Sequence, residues 1–193
     1  MGRPRTFDVE EALDRALEVF WRKGYEGTSL SDLIQAMGIN PPSLYAAFGN
    51  KEGLFLQALD RYQEERRAFW NEATSLPSAR EVMEHMLRGT ADFLSDKHNP
   101  RGCLMVQGAL SCGEGADAIR QELNKRRAAS QKAIRERFER AKAEGDLPAG
   151  IEAADLARFV STVIEGMAVQ AASGVSRKDL NRVIDLAMRI WPK

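Results

Sequence analysis

The side chains of this sequence best suited to metal or nucleophilic chemistry are two histidines, His85 and His98, and two cysteines, Cys103 and Cys112. Together they could supply four zinc ligands, but their spacing matches no compact zinc motif. The sequence also contains no HExxH, GxSxG, P-loop or GxGxxG pattern, the signatures of common catalytic and nucleotide-binding sites. We therefore expect a protein that is not an enzyme and that has no metal or cofactor. A helical enzyme or a metal-binding protein remains the alternative to this expectation.

Of these four side chains, Cys103 is the one whose sequence neighbours predict a reactive thiol. The residues around it predict that it begins a short helix beside Arg101, and both features favour the nucleophilic thiolate. The favoured interpretation of Cys103 is a small buried hydrophobic residue, and its placement leaves a redox or electrophile sensor as the alternative. Cys112 follows nine residues later, on the opposite side of a continuous helix, so we expect no disulfide between the two.

Composition limits the kind of protein that must position these residues. The 193 residues carry 28 basic and 28 acidic side chains, a formal net charge of zero, and 44% of them are hydrophobic. A core can form, and an unselective polyanion binder is disfavoured, although a local nucleic-acid site is not. The scarcity of cysteine and an N-terminus without an apolar signal segment predict a cytoplasmic protein. The 18 uncharged residues from Leu33 to Asn50 include glycines and prolines that would break a spanning helix, so we expect no membrane contact.

Hydrophobic periodicity predicts an all-α fold of about nine helices. Apolar residues recur three and four positions apart along most of the chain, and no segment alternates as a strand would. Two short helices are predicted between Thr28 and Phe48, separated by Gly38, and Pro41 and Pro42 fit only the first turn of the second. Two short helices joined in this way are the geometry of a helix-turn-helix, whose second helix enters the DNA major groove.

The run from Thr6 to about Arg66 resembles the tetracycline-repressor (TetR) family of transcriptional regulators. The resemblance rests on the segments KGYEGTSLSDL, AMGI and PSLYAAFGNKEGLF, on a length near 200 residues, and more weakly on Gly102-Cys103-Leu104. It implies a helix-turn-helix DNA-binding domain at residues 6–66 and an effector-binding and dimerisation domain at residues 67–193. The implied function is a repressor whose operator binding is relieved by a small-molecule effector or by thiol modification.

The residues expected to contact DNA fall into three groups. Hydroxyl, phenol and ammonium groups bind phosphate, small side chains meet base edges in the major groove, and an N-terminal arm enters the minor groove. The groups are, in that order, Thr28, Ser29, Tyr45 and Lys51; Asn40, Pro41, Pro42, Ser43 and Ala46; and Arg3 and Arg5. A core aromatic is the alternative reading for Tyr45, and a disordered terminus is the alternative for the arm.

The last two predicted helices carry apolar residues on more than one face, and the resemblance implies that they pair with the same helices of a second copy in a homodimer. One helix-turn-helix contacts too few base pairs to select a genomic site, so such regulators bind near-palindromic operators as symmetric dimers. The resemblance also implies an effector pocket, of unknown ligand, in the second domain. Its candidate walls are large or apolar side chains that could equally be plain core: Trp70, Met83, Met86, Phe93, Cys103, Leu104, Phe138, Thr162 and Met167.

Charge is distributed unevenly between the two domains. Residues 1–66 carry 8 basic and 11 acidic side chains, a net charge of −3, and residues 67–193 carry 20 and 17, a net charge of +3. The DNA-binding domain is thus the acidic one, which predicts few phosphate contacts and a shallow salt dependence of DNA binding. The segment Arg120 to Lys142 holds nine basic and three acidic residues, so it is either a second nucleic-acid site or a solvated helix face.

Overall fold

The computed structural model describes residues 7–110 and 116–191, and all regular structure within those ranges is helical. The all-α prediction is confirmed. The helices are α1 (Val9–Lys23), α2 (Leu30–Met37), α3 (Pro41–Phe48), α4 (Lys51–Ser75), α5 (Ala79–Ser95), α6 (Leu104–Leu110), α7 (Asp117–Ala143), α8 (Ala153–Ala172) and α9 (Arg177–Ala187), followed by a 3-10 turn (Met188–Ile190). In the described ranges, no helix combines the length and the apolar character needed to cross a membrane.

Local side-chain and glycine signals set the helix ends. Ser29 and Ser78 each begin a helix with a capping box, in which the serine hydroxyl accepts from the N3 backbone and the N3 carboxylate accepts from the serine N–H. Gly38 ends α2 in the left-handed conformation with φ +66°, where a residue with a Cβ is disfavoured. These short-range interactions explain why the helix boundaries of the first 50 residues follow the sequence pattern closely.

Two hydrophobic cores are joined by α4. The first lies among α1 to α4 with parts of α6 and α7, and the second lies among α5, α7, α8 and α9. Residues Leu54 to Tyr62 of α4 belong to the first core and Ala73 belongs to the second. The expected domain boundary at residue 66 therefore falls inside one continuous helix, which ends only at Ser75.

Arg137 of α7 holds the C-terminal end of α4. It is 5% exposed, and its guanidinium donates to the carbonyl oxygens of Thr74 at 3.1 Å, Leu76 at 2.7 Å and Pro77 at 3.1 Å. The last carbonyls of a helix have no partner within the helix, and a cation at that end also matches the helix dipole. The side chain thus caps α4 from a neighbouring helix.

A group of aromatic rings connects the two cores. Trp21 of α1 meets Tyr62 of α4 edge-to-face at 4.8 Å between ring centroids and stacks on Phe93 of α5 at 5.4 Å. Its indole N–H donates to the carbonyl oxygen of Gly102, before α6, at 3.1 Å. The first helix is therefore tied directly to the helices of the second core.

Candidate functional site

The helix α3 presents a small, mostly exposed surface. Leu44 and Phe48 are buried against the first core, whereas Tyr45, to the side of this buried pair, is 49% exposed. Of the five residues predicted to meet base edges, Ser43 is half-buried and four are exposed, namely Asn40, Pro41, Pro42 and Ala46. The Asn40 side-chain oxygen accepts from the Ser43 N–H at 2.9 Å, so it caps the helix. Because Leu44 and Phe48 fill the inward face, the Tyr45 ring is not a core residue.

The N-terminal ends of α2 and α4 flank this surface. Ser29 is exposed and caps α2. Lys51, in the first turn of α4, lies 4.4 Å above the Tyr25 ring, and burial lowers the pKa of its ammonium while Glu26 raises it. Thr28 is fully buried, and its hydroxyl donates to the Gly24 carbonyl oxygen at 2.6 Å. The Thr28 side chain therefore serves the turn between α1 and α2 and is not available to a phosphate.

Most cations of residues 7–66 already have carboxylate partners. The ion pairs are Arg15–Glu11, Arg22–Glu18, Lys23–Asp32 and Arg61 with Glu10, Asp14 and Glu65. Only Lys51 and Arg66 of this range form no ion pair within 4 Å with the described residues. Lys51 lies beside α3, and Arg66 lies far along α4. Arg3 and Arg5 lie outside the described residues.

A cavity of about 150 Å³ lies between α4, α5, α7 and α8, with α6 at one side. Its walls are chiefly apolar, and its polar and charged lining includes Tyr62, Gln63, Arg66, Thr90, Arg127, Ser130, Gln131, Ser161 and Glu165. Arg127 and Glu165 form a two-point ion pair across the α7–α8 contact, at 3.0 and 2.9 Å. The space and its lining suit a small ligand held between helices.

Cys103 also lines the cavity and is half-buried. The buried Tyr62 hydroxyl donates to its Sγ at 3.3 Å. Burial raises the pKa of Tyr62 well above its ordinary value, with Cys103 adding to the shift, so the phenol is neutral at physiological pH. The thiol therefore sits where a molecule in the cavity can reach it. Cys112 lies outside the described residues.

Comparison with known proteins gives two family matches along the chain. Residues 12–58 match the family described as bacterial regulatory proteins of the tetR family, and residues 79–186 match the tetracyclin repressor-like C-terminal domain. The chain belongs to the TetR family. It is therefore a bacterial-type transcriptional regulator by descent, and the predicted resemblance is confirmed.

Three TetR-family relatives show how far the similarity extends. The transcriptional repressor ComR of Escherichia coli K12 is 33% identical over 198 residues, covering 100% of this chain and 92% of ComR. The repressor AcnR of Corynebacterium glutamicum is 29% identical and covers 96% of this chain and 93% of AcnR. A solved structure of a cysteine-substituted TetR family regulator, CifR, in complex with 26-base-pair double-stranded operator DNA is 45% identical, with a TM-score of 0.93, covering 98% of this chain and 100% of that one.

The structure brings only some of the predicted pocket residues of this TetR-family chain to the cavity. Trp70, Phe93 and Cys103 line it. The remaining ones do not: Met83, Met86, Leu104, Phe138 and Met167 are buried in the two cores, and Thr162 is exposed beside a surface groove of α7 and α8. Whether an apolar side chain faces a void or another side chain depends on how five helices pack, which periodicity does not record.

Sequence reasoning missed the charged members of the cavity. Arg66 is the most informative, because it follows Tyr62 and precedes Trp70 at intervals of four residues. This spacing places the three side chains on one face of α4, and an arginine between two aromatic residues on an otherwise inward face is the signal that could have found it. Arg127 and Glu165 lie on different helices, so no local pattern links them.

Exposed apolar side chains concentrate on α8 and α9. Six large hydrophobic residues of the described ranges are at least 36% exposed, and four of them lie on these two helices: Phe159, Val169, Val183 and Leu186. Leu186 is 59% exposed. Exposed apolar side chains grouped on two neighbouring helices are typical of a protein interface.

The basic segment of α7 offers no cluster of unpaired cations. Of its nine basic side chains, eight lie within 4.0 Å of a carboxylate: Arg120, Lys125, Arg126, Arg127, Lys132, Arg135, Arg140 and Lys142. The ninth, Arg137, is the cap of α4. The geometry favours an ion-paired helix face for this segment over a second DNA site.

Proposed function

We propose that this protein is a homodimeric repressor that inserts α3 of each subunit into the major groove of a near-palindromic operator. The observation that supports the proposal most directly is the exposed face of α3. Its two apolar anchors are buried, its outward side chains are small enough to approach base edges, and Tyr45 stands clear of the core at its side. The cysteine-substituted CifR, which covers 98% of this chain at 45% identity, was solved in complex with double-stranded operator DNA.

Each DNA contact has a physical role in the proposal. The exposed Ser29 hydroxyl, which donates to the Asp32 carboxylate at 2.8 Å, would turn to one phosphate together with the backbone N–H groups at the start of α2. Tyr45 and Lys51 would bind other phosphates through a phenol and a point charge. Asn40, Pro41, Pro42, Ser43 and Ala46 meet base edges or thymine methyl groups. Arg3 and Arg5 would follow the minor groove. Thr28 is left out because it is buried.

Residues 67–193 supply regulation and dimerisation in this proposal. The exposed apolar face of α8 and α9 would pair with the same face of a second copy and so set the distance between the two α3 helices. A molecule in the cavity, or modification of the Cys103 thiol, would change that distance and release the operator. A repressor of this kind would act in the cytoplasm, where bacterial chromosomal DNA lies.

The decisive experiment is selection of genomic DNA fragments by the purified protein, followed by binding assays on the enriched sequence. We expect a near-palindromic motif and at least a tenfold loss of affinity for Tyr45→Ala and for Lys51→Ala. Tyr45→Phe, which removes only the hydroxyl, is the matched control for the ring. Recovery of no palindromic motif, or full binding by both alanine variants, would contradict the assignment of α3.

The thiol part of the proposal has a separate test. Cys103→Ser should retain operator binding and lose its release by hypochlorite or by a quinone. If this variant releases the operator as the wild type does, Cys103 is not a sensor, and the cavity ligand remains as the regulatory signal.

A further inference from the structure

The cavity between α4, α5, α7 and α8 contains a cation without a counter-ion. Arg127 is paired with Glu165 at 2.9 Å, whereas Arg66 forms no ion pair within 4 Å and no hydrogen bond with the described residues. The other arginines of α4 do have acidic partners, since Arg61 pairs with three carboxylates and Arg67 pairs with Glu64. The charged lining of the cavity therefore carries a net charge of +1.

Aromatic rings hold the Arg66 guanidinium. Its central carbon lies 3.6 Å from the centroid of the Phe93 ring, and 5.5 and 6.0 Å from those of Phe69 and Trp70. Burial lowers the pKa of Arg66, while Tyr62 and Cys103 raise it, yet a guanidinium keeps its charge in proteins. Removing a cation from water without an acidic partner is unfavourable, and stacking on rings offsets only part of that cost. The position of Arg66 thus favours an anion in the cavity.

Thr90 of α5 provides a second, independent observation. It lines the same cavity, it is 4% exposed, and its hydroxyl has no hydrogen-bond partner among the described residues. A buried hydroxyl without a partner costs free energy, and native proteins keep few of them. A ligand oxygen would satisfy this donor.

The size and walls of the cavity define the rest of the ligand. A closed apolar cavity of about 150 Å³ is large enough for benzene, and this cavity has the same volume. Its apolar lining includes Trp70, Leu94, Val106 and Ile134. A carboxylate matches the planar, two-point donor geometry of a guanidinium.

We propose that the cavity binds a small carboxylate with an apolar body about the size of one six-membered ring, and that Arg66 forms the ion pair with the carboxylate. The effector role of this ligand rests on the proposed repressor function, but its binding does not. Thr90 donates the second polar contact, and the aromatic and aliphatic walls enclose the ring.

Calorimetric titration of the full-length protein, without DNA, tests the ligand class with benzoate, benzamide and benzylamine. These three molecules share one ring and differ in charge. We expect benzoate to bind at least about tenfold more tightly than benzamide, and benzylamine to bind most weakly, because an ion pair with hydrogen bonds outweighs a neutral contact. Equal binding of benzoate and benzamide, or binding by none of the three, would overturn the proposal.

Variants then test the role of Arg66 against a merely structural one. Arg66→Gln should reduce benzoate affinity by about 10- to 100-fold and leave benzamide affinity unchanged, whereas Arg66→Lys should restore part of the difference. Arg67→Gln, the same change at the adjacent exposed arginine, is the control and should change neither. Thr90→Val should weaken benzoate by about fivefold. An equal loss of both ligands in Arg66→Gln would assign Arg66 to folding and refute its pairing role.

Operator release distinguishes this proposal from the proposed function. If the protein binds benzoate selectively but selects no DNA motif, the ligand class stands and the repressor function fails. If it binds its operator and benzoate together without release, the carboxylate site stands and its effector role is refuted.

Discussion

Salt dependence of DNA binding is the sharpest quantitative consequence of the proposed DNA-contacting surface. Residues 28–51, which form α2, α3 and the start of α4, contain only two charged side chains, Asp32 and Lys51. The Asp32 carboxylate pairs with Lys23 and accepts from the Ser29 N–H in the cap of α2. Lys51 is thus the one cation that the described part of each subunit offers to the backbone beside α3.

The number of neutralised phosphates follows from this count. A dimer using Lys51 alone neutralises about two phosphates, which gives a slope of log K against log salt of about −1.8. If Arg3 and Arg5 of both arms also bind, the count rises to about six and the slope to about −5.4. Between 50 and 200 mM salt, the affinity falls by about 12-fold in the first case and by about 1,800-fold in the second.

Fluorescence anisotropy with a selected operator fragment at four KCl concentrations measures the slope. Lys51→Gln should flatten it by about 1.8, and removal of residues 1–6 should flatten it by about 3.6 if the arms contribute. A slope steeper than about −7 that persists in both variants would refute the reasoning, because the cations responsible would then lie elsewhere, with α7 the first place to look.

Three further predictions concern assembly and stability. Leu186→Glu should convert the dimer into a monomer, as measured by light scattering. Because Leu186 is exposed in a single chain, the stability of the monomer should change by less than about 0.5 kcal/mol. If the variant remains a dimer, the interface does not lie on α8 and α9. Arg137→Met should lower the free energy of unfolding by about 3 kcal/mol and the melting temperature by about 6–12 °C, because three carbonyls lose a charged donor. The control Arg135→Met removes only an exposed ion pair, so equal melting temperatures for the two variants would contradict the capping role. Gly38→Ala should cost about 1 kcal/mol in urea unfolding and Gly38→Asn less, because asparagine tolerates the left-handed region; no difference from the wild type would show that the turn relaxes.

The fold was predictable where a few neighbouring residues decide the structure. Ser29 with Asp32 and Ser78 with Glu81 fix helix starts within one turn, and Gly38 fixes a helix end through its own backbone. The exposed position of Tyr45 also followed from the sequence, because Leu44 and Phe48 define the inward face of α3.

The cavity was only partly predictable because distant helices create it. Met83 and Met86 are large apolar residues of α5, the residue type expected to line a ligand pocket, yet both are fully buried in the core. Thr28 shows the same limit in the DNA-binding domain: a hydroxyl near a helix start was predicted to bind phosphate, but it instead bonds to the carbonyl of Gly24. Which partner a polar group finds depends on packing beyond its own helix.

Because α4 is one unbroken helix, a tilt at its cavity end also displaces its N-terminal end. At 1.5 Å per residue its 25 residues span about 37 Å, and about 22 Å separate Arg66 from Lys51. A tilt of about 5° around the cavity therefore swings the Lys51 end through an arc of about 2 Å, more than the tolerance of a hydrogen bond. A ligand that displaces Arg66 only slightly would then misalign the two proposed recognition helices of the dimer without unfolding any part of them.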